Sequence, residues 1–238
     1  MKRFWDDAIA TADGEDWQVL LDGRPMRLPG GTKLSVPYRN VAQAIAAEWR
    51  AAGGAKDGEM TYADVPLTRI AGTAQERIAP DPEPVALELA RYGESDLLCY
   101  RADTPPSLTE WQHREWQPWL DWAERNYGAQ LQVTTGLMHI AQTPQALAAL
   151  ATAVAGRPPL ALAALGIVVP ALGSLVLGLA LADRAIDAAA AHALAHLDET
   201  YQASLWGHDE QAATRRAHVG TDIADAGRML DLVHQAGA

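Results

Sequence analysis

The sequence predicts an α+β protein: a small β-rich N-terminal domain of antiparallel strands plus one helix over residues 1–65, then a larger all-helical, orthogonal-bundle-like domain over residues 66–238. Two observations carry this. Short apolar runs punctuated by Gly and Pro occupy the first quarter of the chain, whereas from Pro66 onward apolar residues recur at helical spacing between capping and stop signals. A third concerns size, since 238 residues can bury a sizeable core without disulfide or metal staples.

In the N-terminal part, Trp17-Gln18-Val19-Leu20-Leu21 and Pro25-Met26-Arg27-Leu28 flank Asp22-Gly23-Arg24. Asp-Gly between apolar runs is a strong hairpin signal, and Pro25 places the second strand at an edge or just past the turn. A further short strand is expected at residues 33–36. Residues 38–52 then read as a helix with Val41, Ala44, Ile45 and Trp49 inward and Glu48 at its polar edge, stopped by Gly53-Gly54.

The helical part is predicted to begin with helices at residues 67–78 and 84–92. Ser107 and Glu110 have capping-box spacing, which predicts a helix over 107–126, stopped at Gly128 and kinked at Pro118. Four of the eight tryptophans lie in it. Trp111, Trp119 and Trp122 form one stripe, expected to face the core, with Trp116 further round. Thr143-Pro144 predicts an N-cap followed by Pro at the first helical position. Residues 158–182 contain no charge over 25 residues, enough to span a bilayer, but Pro170 splits them into pieces of core-helix length. A buried helical hairpin is expected, with no stable membrane insertion. Residues 187–206 then predict one helix, with Leu197, Tyr201 and Leu205 on the buried face and His192, His196, Glu199, Gln202 and Trp206 opposite. After Gly207, Asp209 is placed to cap a last helix that carries Glu210 in its first turn.

Charge excludes several function classes. Thirty acidic against nineteen basic residues give −11, which disfavours nucleic acid and anionic membrane surfaces as partners. The single cysteine, Cys99, rules out an internal disulfide framework, and no signal or transit peptide is legible at the N-terminus, so a cytoplasmic protein is expected.

The chemistry-bearing residues cluster between His196 and Arg216. His192 and His196, at i and i+4, could hold a metal with Asp198, Glu199 or His208, which would suit a small metal-dependent hydrolase. Against that reading, Ala193 stands where the metalloprotease form of the motif carries its general base. Asp198, Glu199 and Glu210 could supply an acid/base pair, but no phosphate-binding loop, nucleophile elbow or dinucleotide fingerprint accompanies them. A third alternative is a membrane-associated factor using residues 158–182.

Five stretches together carry a resemblance: Asp22-Gly23-Arg24-Pro25; Ala47-Glu48-Trp49; Val65-Pro66-Leu67-Thr68-Arg69; Asp96-Leu97-Leu98-Cys99-Tyr100-Arg101-Ala102; and Leu197-Asp198-Glu199-Thr200-Tyr201-Gln202 with Trp206-Gly207. In this order, over nearly the whole chain, they resemble the Atp12 family of assembly chaperones for the F1 part of ATP synthase. The resemblance implies a protein without catalytic activity or cofactor that holds the unassembled F1 α subunit until a β subunit replaces it, and a bacterial cytoplasmic member rather than a mitochondrial one. It also implies a functional role for Asp198 and Glu199. Asp198, Glu199, Gln202, Trp206 and Glu210 are therefore expected to contact the α subunit, the chain being monomeric on its own. Trp206 is either the anchor of that surface or a plug against the following helix.

Overall fold

The computed structural model describes residues 1–136, 138–207 and 209–237. The α+β class expected from the sequence is the class observed. The chain forms two compact units. The first comprises Met1–Asp81, Pro159–Ala164 and the stretch from Arg228 onward; the second comprises the described residues of Pro82–Pro158 and Leu165–Gly227.

In the first unit, β1 (Ala8–Asp13) and β2 (Asp16–Leu21) pair antiparallel from Ala8↔Leu21 to Asp13↔Asp16. β3 (Arg24–Pro25) and β4 (Ser35–Val36) both pair with β2. Asp22 and Gly23 have φ of 47° and 77°, the two positive values that a tight two-residue hairpin requires. Pro25 sits on an edge strand, as expected. β1 is absent from the sequence reading because Ala8, Ala10 and Ala12 have weak strand propensity.

Helix α1 (Arg39–Ala51) buries Val41, Ala42, Ile45, Ala46 and Trp49. The Trp49 indole donates to Thr68 Oγ1 at 2.8 Å and lies 4.8 Å from the Trp5 ring. The Arg3 guanidinium donates to the carbonyls of Arg50, Ala52 and Gly54 at the C-terminal end of α1, where the helix dipole favours a cation. Glu48 is not at a polar edge. It is 8% exposed, and its carboxylate accepts the N–H groups of Leu67 and Thr68 at the start of α2 (Pro66–Thr73). Through Glu48 and Trp49, α1 draws α2 and the following π-helical turn (Ala74–Ile78) into the first unit.

The second unit begins with α3 (Glu83–Ala90). A two-residue parallel pair, β5 (Tyr100–Arg101) with β6 (Thr134–Thr135), lies in a region expected to be wholly helical. Helix α4 (Pro106–Tyr127) starts on prolines, so Ser107 lies inside its first turn and makes no capping bond. The helix continues through Pro118 and ends at Gly128 in the left-handed region, φ 72°. Its core face is Leu108, Gln112, Trp116, Leu120 and Ala123, spaced by three or four residues; Trp116 is fully buried, while Trp111, Trp119 and Trp122 are half-buried. The tryptophan stripe read from the sequence is thus the flank of the helix. Periodicity assigned the arc correctly but could not tell which side the neighbouring helices would cover.

Thr143 caps α5 (Pro144–Ala155) by accepting from Ala146 N, as its position predicts. Helices α6 (Pro159–Leu172) and α7 (Leu175–Ala182) take up the uncharged run. The break falls at Gly173-Ser174, not at Pro170, because Gly173 adopts φ 63° and Ser174 caps α7 by accepting from Leu177 N. Among the described residues no helix is long and apolar enough to cross a membrane. Asp96, fully buried, accepts from Leu98 N and Val176 N and so fixes the N-terminal end of α7. Arg157 donates to Asp183 and to the Tyr127 hydroxyl at 2.6 and 2.8 Å, joining the C-terminal ends of α4, α5 and α7.

Candidate functional site

The helix predicted over 187–206 is two helices. α8 (Ala188–Ala195) ends at His196, whose φ of −106° and ψ of 25° are non-helical, and α9 (Leu197–Trp206) starts immediately after it. The break rotates the second half relative to the single wheel. Leu205, predicted buried, is 57% exposed, and Trp206 is 79% exposed, so Trp206 is no plug. Gly207, φ 93°, ends α9. Asp209 then accepts from Gln211 N and Ala212 N at 2.8 and 3.2 Å as the predicted cap of α10 (Glu210–Gly237). Those bonds, that from Ala212 foremost, hold its carboxyl below the usual carboxylate range.

At about 100° per residue, Glu199, Gln202 and Trp206 fall within about 60° of arc on α9. All three are exposed, as is Glu210 in the first turn of α10. The exposed arc of α9 thus carries Glu199 and Gln202 and ends in the exposed apolar pair Leu205 and Trp206, with Glu210 four residues further along the chain. The other side of α9 faces α4. Leu197 is buried and Tyr201 half-buried, its hydroxyl 2.7 Å from Ser107 Oγ and its ring 6.1 Å from Trp111. Asp198, half-buried, accepts from Gln112 Nε2 at 2.8 Å.

Gln112 and Arg101 complete this inner side, and neither was singled out as a site residue by sequence reasoning. Gln112 is 1% exposed and also accepts from Ala102 N at 2.7 Å. Its signal was present in the sequence, since a glutamine at four-residue spacing between Leu108 and Trp116 sits on an apolar stripe and needs a buried partner. Arg101 is buried, its guanidinium 5.1 Å from the Trp116 ring and its Nη1 and Nη2 without a hydrogen-bond partner among the described residues. Burial pulls its pKa down to about 10, opposed at neutral pH by the Asp198 carboxylate, so it stays charged there. Cys99 is buried too, and desolvation pushes its thiol up to about 12, far from a reactive thiolate.

His192 and His196 each engage a backbone carbonyl. His192 Nε2 donates to Arg216 O and His196 Nδ1 to His192 O, both at 3.0 Å, which takes one ring nitrogen of each. Burial, and then the His196 charge, hold His192 below its usual pKa. Among the described residues no three of His, Cys, Asp and Glu are grouped as a metal would require; His208 lies outside them.

Fold and surface together describe a two-unit α+β protein that exposes Trp206 on the same helix arc as Glu199, the kind of surface that engages another protein. The ATP12 chaperone protein family model matches residues 2–124. The chain is 24% identical over 222 residues to the mitochondrial protein atp12 of Schizosaccharomyces pombe, covering 89% of this chain and 75% of that protein. It superimposes on the crystal structure of Atp12 from Paracoccus denitrificans with a TM-score of 0.92 and 40% identity, over 98% of each chain. A structure from Agrobacterium tumefaciens follows at a TM-score of 0.91 and 38% identity, over 97% of this chain and 85% of that one. The chain belongs to the ATP12 chaperone family.

Proposed function

We propose that this protein is a non-enzymatic assembly chaperone of F1-ATPase that binds the unassembled α subunit, prevents its aggregation and hands it over to the β subunit, as the family resemblance implies. The observation that carries the reading is the exposure of Trp206, 79% accessible, on the same arc as Glu199 and Gln202. An α subunit awaiting its partner presents apolar surface that aggregates, and a holder must cover it reversibly. A single aromatic anchor supplies binding energy, while surrounding charges set specificity and encounter rate and leave the complex able to dissociate. Glu199, Gln202, Trp206 and Glu210 make the contact directly. Asp198 contributes from the flank. The reading requires no cofactor, and the cytoplasm of a bacterium suits a chain of this composition.

Light scattering of isolated α subunit, with this protein added at increasing ratios, tests the reading. Scattering falls to baseline near one-to-one stoichiometry, and crosslinks to the bound α subunit map to residues 198–210. Unchanged scattering, or crosslinks confined to other surfaces, would overturn it.

A further inference from the structure

We infer that the adjacent acids Asp198 and Glu199 have separate tasks: Glu199 meets the client, while Asp198 is a positioning residue that Gln112 holds so that α9 presents its outer arc. This rests on the docking role of α9 proposed above.

Gln112 is the pivot. Its Oε1 must face the Ala102 backbone N–H, because that group can only donate, and this orients the amide so that its NH2 points to Asp198. The side chain is 1% exposed, so it touches no client. Its hydrogen bond therefore ties the first turn of α9 to the core of α4 and to the end of β5. Tyr201, one turn further along α9, repeats the tie through Ser107 and the Trp111 ring. Asp198 and Tyr201 lie on the inner side, and Glu199, Gln202 and Trp206 on the outer arc. Rotation of α9 by a fraction of a turn would carry the outer residues away from their shared direction.

Arg101 supplies the reason for an acid at position 198. Its buried guanidinium has two nitrogens without hydrogen-bond partners among the described residues, and Asp198 is the carboxylate that acts on it through space. A neutral residue at 198 would leave that cation uncompensated in a low-dielectric setting. Position 198 thus needs an acceptor for Gln112 and a negative charge near Arg101. Glu199, exposed on the outer arc, acts through space on His192 of α8 and has no hydrogen-bond partner that ties it to α4 among the described residues.

A charge-transposition experiment separates positioning from contact. Gln112→Met and Asp198→Ala each weaken α-subunit binding about tenfold, the loss expected for a hydrogen bond to a charged group. Both also speed amide exchange along α9, measured on the protein alone. Combining them does no further harm. The pair Gln112→Glu with Asp198→Asn rebuilds the hydrogen bond with its direction reversed and keeps one carboxylate in the pair, so exchange protection and binding both return. Glu199→Gln weakens binding with α9 exchange unchanged. If Gln112→Met leaves α9 exchange as in the wild type, the positioning role is overturned whether or not the protein binds α subunit at all. If the transposed pair regains exchange protection but not binding, Asp198 touches the client through its charge and the division of tasks fails. Absence of α-subunit binding by the wild type, with the exchange results as expected, would count against the proposed client and leave the role of Gln112 supported.

Discussion

The carboxylate of Glu48 in α1 receives the backbone N–H groups of Leu67 and Thr68, at 3.0 and 3.3 Å, and closes the N-terminal end of α2. A buried acid is well placed there because the first turn of a helix has unsatisfied donors and a positive dipole end. Glu48→Gln replaces one acceptor oxygen with an amide NH2 that faces a donor. It is expected to lower stability by about 1–3 kcal/mol, read as a lower urea midpoint at unchanged slope. An unchanged midpoint would mean that α2 does not depend on this contact.

Asp96 predicts a pH dependence. Complete burial raises its pKa from 3.8 to about 6, against the lowering effect of the backbone N–H groups of Val176 and Leu98 and of Ser174. The folded state therefore binds this proton more tightly than the unfolded chain. Its favourable contribution is fully present below pH 3.8 and is lost as pH rises through about 6, with an amplitude of about 3 kcal/mol. The stability-versus-pH profile of Asp96→Asn should lack this downward component between pH 4 and 6. Parallel profiles for the two proteins would refute the assignment.

Trp116 and Trp206 are expected to separate stability from function. Trp116 is fully buried and donates from its indole to Leu194 O at 2.9 Å; its replacement by Ala should cost about 3–5 kcal/mol or prevent folding. Trp206→Ala removes an exposed side chain and should change stability by less than about 0.5 kcal/mol. Thermal melts of the two variants check the contrast.

Gly178 in α7 lies against α6, where an added Cβ would come within 2.6 Å of Val169 Cγ2. Gly178→Ala should gain helix propensity yet lose about 1–3 kcal/mol to overpacking, measured by denaturant unfolding. A stabilised variant would show that α6 and α7 have room to part.

Where the sequence was legible, the signal was local. Asp22-Gly23, Thr143-Pro144, Gly128 and Asp209 each set a turn, cap or stop through backbone chemistry that involves a few neighbours. The break at His196 left no such mark, since neither Gly nor Pro stands there and the apolar period continues through it. The inward face of α4 was misassigned for a different reason. A helical wheel reports which residues align, but Trp116 was chosen for the core by the helices packed around it. Glu199, Gln202 and Trp206 kept their shared direction despite the break because their spacing lies wholly within α9. Ser107, Gln112 and Arg101 were missed as supports because their partners are 86 or more residues away in the case of Gln112 and Ser107, and through space in the case of Arg101.

Binding of isolated F1 α subunit to Glu199→Lys and Trp206→Ala variants tests the docking role of α9 most directly. Both residues are exposed, so both variants should melt with the wild type. Each is expected to raise the Kd by more than about tenfold, as loss of an anchor or reversal of a flanking charge should. Wild-type affinity in both variants would contradict the assignment of this surface to the client.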